Sequence, residues 1–136
     1  MVTYKEEKNL PADQLFDLYE SIGWTKNVRS REKHSTLVQK VYKNSDIVIS
    51  AWDENKLIGT VRAISDTFAH GIIYGLTVGP NYPTSEIAKE LIKRCIAKYP
   101  KIQWSAEVED WEEKIFKDLD FHRSKNNFLN KGDCPI

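Results

Sequence analysis

Ile72-Ile-Tyr-Gly-Leu-Thr-Val-Gly-Pro-Asn-Tyr-Pro-Thr-Ser-Glu-Ile-Ala88 changes its period partway along. Ile72 to Val78 is short, rich in β-branched and aromatic residues, and reads as a strand. Pro80 and Pro83 bracket a loop. From about Thr84 to Tyr99, Ile87, Ala88, Leu91, Ile92, Cys95, Ile96 and Tyr99 form one apolar stripe, which predicts a long amphipathic helix. Gly75 interrupts the strand, as a bulge or a close approach by another group would require.

Before this segment lie two more strand patterns, Ile47 to Trp52 and Leu57 to Ile64, joined by the polar turn 53–56. With the loop Ser65 to Gly71, they give three consecutive antiparallel strands. Earlier still, Thr3 to Lys5 reads as a short strand. Pro11 opens a helix carrying Leu15, Leu18, Tyr19 and Ile22, and Gly23 stops it. A second helix, about Ser30 to Tyr42, has Leu37, Val38, Val41 and Tyr42 on its apolar side. After the long helix, Ile102 to Ala106 reads as a strand reached by a helical crossover, and therefore parallel to its neighbour. A short helix from Trp111 to Leu119 and a last strand from His122 to Leu129 complete the order. The expected fold class is α/β: one domain with a mixed, mostly antiparallel sheet and helices on both faces.

Composition narrows the function. The 136 residues carry 20 Lys+Arg and 20 Asp+Glu, so the formal charge is zero, which argues against a nucleic-acid partner held by bulk positive charge. No apolar run approaches the span of a bilayer, and the first residues have no signal-peptide core. No membrane partner and a cytoplasmic location are expected. Cys95 and Cys134 lack metal-ligand spacing; reduced thiols and no metal are expected.

Four segments carry a resemblance. Leu18-Tyr-Glu-Ser-Ile-Gly-Trp24, Asn55-Lys-Leu-Ile-Gly-Thr-Val-Arg-Ala-Ile-Ser-Asp66, Leu76-Thr-Val-Gly-Pro-Asn-Tyr82 and Ile115-Phe-Lys-Asp-Leu-Asp-Phe121 occur in this order. Together they resemble the GNAT acyl-CoA-dependent N-acetyltransferases over about Tyr4 to Leu129. The resemblance implies acetyl-CoA as acyl donor and a small-molecule or peptide amine as acceptor. Dimers are frequent in that family, so a homodimer is a further expectation.

The family cradles the donor's pyrophosphate at a helix start with Gln/Arg-x-x-Gly-x-Gly/Ala, where glycines admit the phosphates to unpaired N–H groups. Pro83-Thr-Ser-Glu-Ile-Ala88 aligns with that run, and only Ala88 keeps the pattern. Pro83 lacks a donor N–H, and Glu86 stands at the key glycine. A carboxylate about 5 Å from a phosphate repels it by roughly 3 kcal/mol at an effective dielectric of 20. On that reading Glu86→Gly tightens CoA binding. The bland alternative is that Thr84 or Ser85 caps the helix while Glu86 complements its dipole. The implied cofactor residues are Leu76, Thr77, Val78, Thr84, Ser85, Glu86, Ile87 and Ala88. The backbone of Leu76 to Val78 would pair with the pantetheine arm and polarise the thioester carbonyl.

Acetyl transfer to an amine also needs a base for the amine and an acid for the thiolate. The family's acid, a tyrosine, aligns with Phe116, and its usual carboxylate base aligns with Gly75. Tyr74 and Glu109 are the candidate substitutes, with Glu107 and His70 behind them. His34 and His122 have nothing to recommend them. Tyr19, Glu20 and Trp24 resemble the segment lining the acceptor pocket, where Glu20 would hold a cationic amine and Trp24 would form a wall. Core packing of Tyr19 and Trp24 is the equal alternative, and Arg62 is expected to pair with Asp66. Two functions remain open: an N-acetyltransferase working by direct attack, and a catalytically degenerate ligand-binding or interaction protein on the same fold.

Overall fold

A computed structural model describes residues 1–136. The elements are β1 (Val2–Glu6), α1 (Ala12–Ser21), α2 (Arg31–Lys43), β2 (Ile47–Asp53), β3 (Lys56–Ser65), β4 (His70–Val78), α3 (Thr84–Ile96), β5 (Gln103–Ala106) and α4 (Asp110–Lys117). The strands form one sheet in the order β1-β2-β3-β4-β5. The first four are antiparallel neighbours and β5 is parallel to β4. The expected α/β fold class is thus what the chain adopts.

Alternation along the strands separates two cores. Ile47, Ile49 and Ala51 of β2 and Val61 and Ala63 of β3 face α3 and α4, where they join Ile87, Leu91, Ile92, Cys95, Ile115 and Phe116. Val48 and Trp52 point the other way, to Leu15, Leu18 and Tyr19 of α1 and Val38 and Tyr42 of α2. Because β2 is covered on both sides, its residues are apolar almost without interruption.

The last strand expected over His122 to Leu129 is absent. These residues are exposed and irregular, with Phe128 and Leu129 turned to solvent. The stretch has no β-branched residue and no alternating apolar face to bury. Local bonds hold it instead: Arg123 grips Glu113 of α4 through both Nε and Nη2, and the Asn126 amide donates to Ser124 Oγ. β5 is therefore the edge of the sheet. The long helix is also shorter than its apolar stripe, ending at Ile96, because Ala97 to Tyr99 turn away.

Two helices end in the same way. The Gly23 amide bonds the Glu20 carbonyl and the Trp24 amide bonds the Tyr19 carbonyl, with Gly23 at φ +85°. After α4, the Asp120 amide bonds Lys117 and the Phe121 amide bonds Phe116, with Asp120 at φ +70°. Both are Schellman closures, in which a left-handed residue turns the chain and the next side chain folds back on the helix. Trp24 accordingly packs edge-on to Tyr19 at 5.0 Å, and Phe121 edge-on to Phe116 at 5.1 Å.

Candidate active site

β4 is the strand on which the site is built. Between the pairs Thr60↔Thr77 and Arg62↔Tyr74, β3 advances two residues and β4 three. The extra residue is a bulge at Gly75, whose φ of +61° suits glycine. The bulge keeps Ile73 and Leu76 on the α3 side and leaves Tyr74 and Gly75 on the α1–α2 side. The parallel ladder to β5 stops at Ile73↔Ala106. From Tyr74 to Val78, β4 has no strand on its outer side, so its backbone there is free to pair with an extended ligand. Leu76 and Val78 anchor this stretch in the core.

A line of buried hydroxyls braces the bulge from behind. Tyr19 Oη and Tyr42 Oη are 2.9 Å apart, Tyr42 Oη lies 2.9 Å from Thr60 Oγ1, and Thr60 Oγ1 lies 2.8 Å from Thr77 Oγ1. Thr60 Oγ1 also donates to the Gly75 carbonyl at 3.0 Å, and the Thr60 amide donates to Thr77 Oγ1. One directional scheme uses every proton: Tyr19 donates to Tyr42, Tyr42 and Thr77 donate to Thr60, and Thr60 donates to the bulge. Burial pushes the Tyr19 phenol well above its ordinary value, and the adjoining Tyr42 adds to the rise. Burial also raises Tyr42, against its hydrogen bonds to Thr60 and Tyr19. Both therefore stay protonated donors at neutral pH. A side chain at Gly75 would point at Tyr42 Oη, 3.1 Å from its β-carbon, so this phenol occupies the space such a side chain would need.

The start of α3 follows directly from β4. Tyr82 Oη donates to Asp53 Oδ2 at 2.9 Å and pins the intervening loop to the β2–β3 turn. No side chain caps the helix. The sequence expectation that Thr84 or Ser85 would do so is corrected: Thr84 Oγ1 donates back to the Tyr82 carbonyl, and Ser85 makes no capping bond. The amides of Thr84, Ser85 and Glu86 thus lead the helix with no protein acceptor. Ile87 and Ala88 are buried and hold the turn against the sheet. Glu86 is exposed and shares a row with Glu90 and Arg94, toward Tyr4 of β1. The Tyr4 phenol is raised first by burial, and the carboxylates of Glu90 and Glu86 add to it. That row faces away from β5, whereas Lys89 on the opposite side bridges to Asp118 beyond α4 at 2.8 Å.

The other sequence candidates are placed as follows. Phe116 is buried against Phe121 and offers no proton. Glu109 opens α4 with its Oε2 accepting from the Trp111 indole at 2.9 Å and its amide donating to Glu112, so it is held in a structural arrangement. Tyr74 is half-buried beneath the Arg62 guanidinium, beside the bulge. Glu20 is exposed and makes no ion pair, and Trp24 stands half-exposed over Tyr19. Arg62 and Asp66 do not pair. Asp66 Oδ1 accepts from the amides of Phe68, Ala69 and His70, closing the β3–β4 turn, while Arg62 lies back on the sheet face. Glu107 is exposed past β5, and His70 is exposed at the head of β4. The structure therefore gathers Tyr74 and Leu76 to Val78 at the bulge, lets buried Tyr19 reach it only through Tyr42, and leaves Glu109 and Trp24, which packs on the far side of Tyr19, outside it. Tyr42 and Thr60, which join them, were not legible as site residues. A cross-strand threonine pair at matching inward positions is the signal that would have found Thr60 and Thr77.

A cavity of about 810 Å³ lies elsewhere, between β5, α4 and the chain after Phe121. It includes Trp104, Phe116 and Arg123 but none of Leu76 to Val78, and occupies the space that a further strand would have filled. Cys95 is sealed in the α3 core, where burial pushes its thiol up to about 12. No group of three or more His, Cys, Asp or Glu side chains could hold a metal ion, and no helix is long and apolar enough to cross a membrane.

A bulged strand that loses its parallel neighbour thus stands beside the uncapped start of a long helix in an α/β fold. The model of the acetyltransferase (GNAT) family matches residues 12–124, and the chain belongs to that family, which uses acetyl-CoA. Solved structures share the fold. A GNAT family acetyltransferase from Streptococcus pneumoniae TIGR4 is 18% identical, with a TM-score of 0.73 over 97% of this chain and 100% of its own. A predicted acetyltransferase from Clostridium acetobutylicum, solved with acetyl-CoA, is 16% identical, with a TM-score of 0.73 over 96% of both chains. Glucosamine-6-phosphate N-acetyltransferase from Arabidopsis thaliana is 11% identical, with a TM-score of 0.65 over 96% of this chain and 99% of its own. A search of curated protein sequences finds no match.

Proposed function

We propose that this protein is an N-acetyltransferase, passing the acetyl group of acetyl-CoA to a primary amine of a small molecule or peptide as a single cytoplasmic domain. The observation that carries the reading is the end of the β4–β5 ladder at Ile73↔Ala106, beside the bulge at Gly75 and the free amides of α3.

The residues fit the donor in two ways. The Tyr74 to Val78 backbone offers a strand edge to an extended pantetheine arm. The amides of Thr84, Ser85 and Glu86 face an anion at a helix start, and Glu86 turns its carboxylate toward β1. Pro83 and the missing glycines weaken this cradle relative to the family pattern. When bound, acetyl-CoA supplies the activated acyl group. The chain's own residues hold the bulge rigid through Thr60 and Thr77, exclude water with Leu76 and Val78, and present Tyr74 on the acceptor side, with Tyr19 buried behind the bulge and Trp24 packed on Tyr19 beyond it. Positioning and backbone polarisation then supply most of the rate. Glu20 at the rim is the group to receive a cationic amine.

The second reading, a degenerate member that binds without turnover, is favoured by one observation: Phe116, at the position where the resemblance expects the family's acid, is packed against Phe121 and offers no proton. A melting-temperature titration with acetyl-CoA, followed by thiol release against an amine panel, separates the two. A ligand specific to the native state must raise the transition. No shift at millimolar acetyl-CoA would remove the transferase reading. A shift with no thiol release from any amine would leave the degenerate one.

A further inference from the structure

The chain has five arginines, and their surroundings differ. Arg31 bonds Asp17, Arg94 bonds Glu90 and Arg123 bonds Glu113. Arg29 is exposed in a loop. Arg62 alone is packed into the sheet face without a counter-charge. It takes part in no ion pair, and Asp66, four residues on, is occupied by three backbone amides. Its Nη1 donates to Ser45 Oγ at 3.3 Å, but that neutral hydroxyl already donates to the Val41 carbonyl. Its Nε is sealed from solvent with no acceptor at all. Its guanidinium carbon lies 4.9 Å from the centre of the Tyr74 ring, and its stem lies against Gly75. Its positive charge reaches the Tyr19 and Tyr42 phenols.

A half-buried guanidinium with no counter-charge is costly unless an anion completes it; the sealed Nε is out of an incoming ligand's reach, so that anion would meet the Nη end. The spot is specific: Arg62 faces Tyr74 across the ladder, one residue before the bulge, on the face opposite the α3 core. A bidentate Arg–carboxylate pair satisfies two N–H groups at once. One guanidinium balances a monoanion, whereas a phosphate dianion would be left half neutralised.

We propose that Arg62 binds the carboxylate of the acceptor, so that the acceptor class is an amine that also carries a carboxylate, an amino acid or a closely similar acid. This rests on the acetyltransferase reading above and narrows its substrate. Arg62 is a specificity-determining residue here, with no part in bond making.

The test compares free L-amino acids, their carboxamides and ethanolamine phosphate as acceptors with acetyl-CoA, using the wild-type chain, Arg62→Met and Arg62→Lys. At least one acid is expected to exceed its amide by about tenfold or more in kcat/KM, since a site built for a polar group rejects an analogue lacking it. Arg62→Met should raise KM for that acid about tenfold and leave the amide within about twofold; Arg62→Lys should recover part of the loss. Amides matching or beating every acid would overturn the proposal, as would a preference for the phosphate, or equal losses for acid and amide in Arg62→Met. If acetyl-CoA itself fails to shift the melting temperature, the transferase reading falls on its own. Calorimetric binding of the free acids against their amides then decides the Arg62 site directly, and absence of an Arg62-dependent preference sinks it.

Discussion

The two faces of the sheet are built from different materials. Toward α3 and α4, sixteen buried residues form a cluster with no polar side chain except the thiol of Cys95. Toward α1 and α2, the apolar residues are crossed by four hydroxyls that end on the carbonyl of Gly75. The bulge creates this contrast at β4, because two successive residues, Tyr74 and Gly75, leave the hydrocarbon side together. The groups able to donate protons at the bulge therefore sit behind it, on the helix-pair side, while Phe116 keeps the other side free of them. One face fixes the fold by packing; the other fixes the geometry of one peptide unit by directed bonds.

The largest expected effect tests the packed face. Leu91→Ala, at a fully buried position of α3, should cost about 3 kcal/mol in chemical denaturation, the transfer and cavity terms together. A loss under about 1 kcal/mol would show that this core collapses around the void, and the contrast would fade. Next is the bonded face. Tyr42→Phe removes little volume but strips a partner from both Tyr19 and Thr60, and should cost about 2 kcal/mol. An unchanged denaturation midpoint would mean that the hydroxyl line carries no weight.

Adding a proton donor to the dry face would sharpen the comparison. Phe116→Tyr should raise kcat for acetyl transfer about tenfold, short of the roughly hundredfold that a well-placed general acid gives because this ring is buried against Phe121, as read by thiol release under saturating acetyl-CoA. A rate equal to wild type would indicate that the departing thiolate takes its proton from elsewhere. The smallest effect belongs to Glu86. Because its carboxylate stands in the row that faces Tyr4, Glu86→Gly should change acetyl-CoA affinity by only about twofold, near what a charge roughly 10 Å away contributes through water. A gain of tenfold or more by calorimetry would restore the repulsion expected from the sequence alignment.

Much of the fold was legible because burial leaves periodic traces. The stripe from Ile87 to Ile96 marks α3, and the run Ile47 to Trp52 marks a strand covered twice. Gly75 was legible as a bulge because few other residues enter that backbone region. The site was less legible. Tyr42 looks like one more apolar residue on α2, and its partners Tyr19 and Thr60 are 23 and 18 residues away in the chain. Arg62 and Asp66 look paired by spacing, yet one lies on a strand face while the other caps a turn beyond it. The expected final strand fails because polar residues beyond Phe121 have nothing to bury, a property that a short run bounded by Phe and Leu conceals.

The sheet tapers from strands of ten and nine residues at its centre to five in β1 and four in β5. Each terminal strand offers few unsatisfied rungs to a stray chain, and short edges are one of the devices by which natural sheets avoid edge-to-edge stacking. Losing a terminal strand thus brings a colloidal benefit: concentrated solutions should stay clear for want of a long template on which filaments could grow.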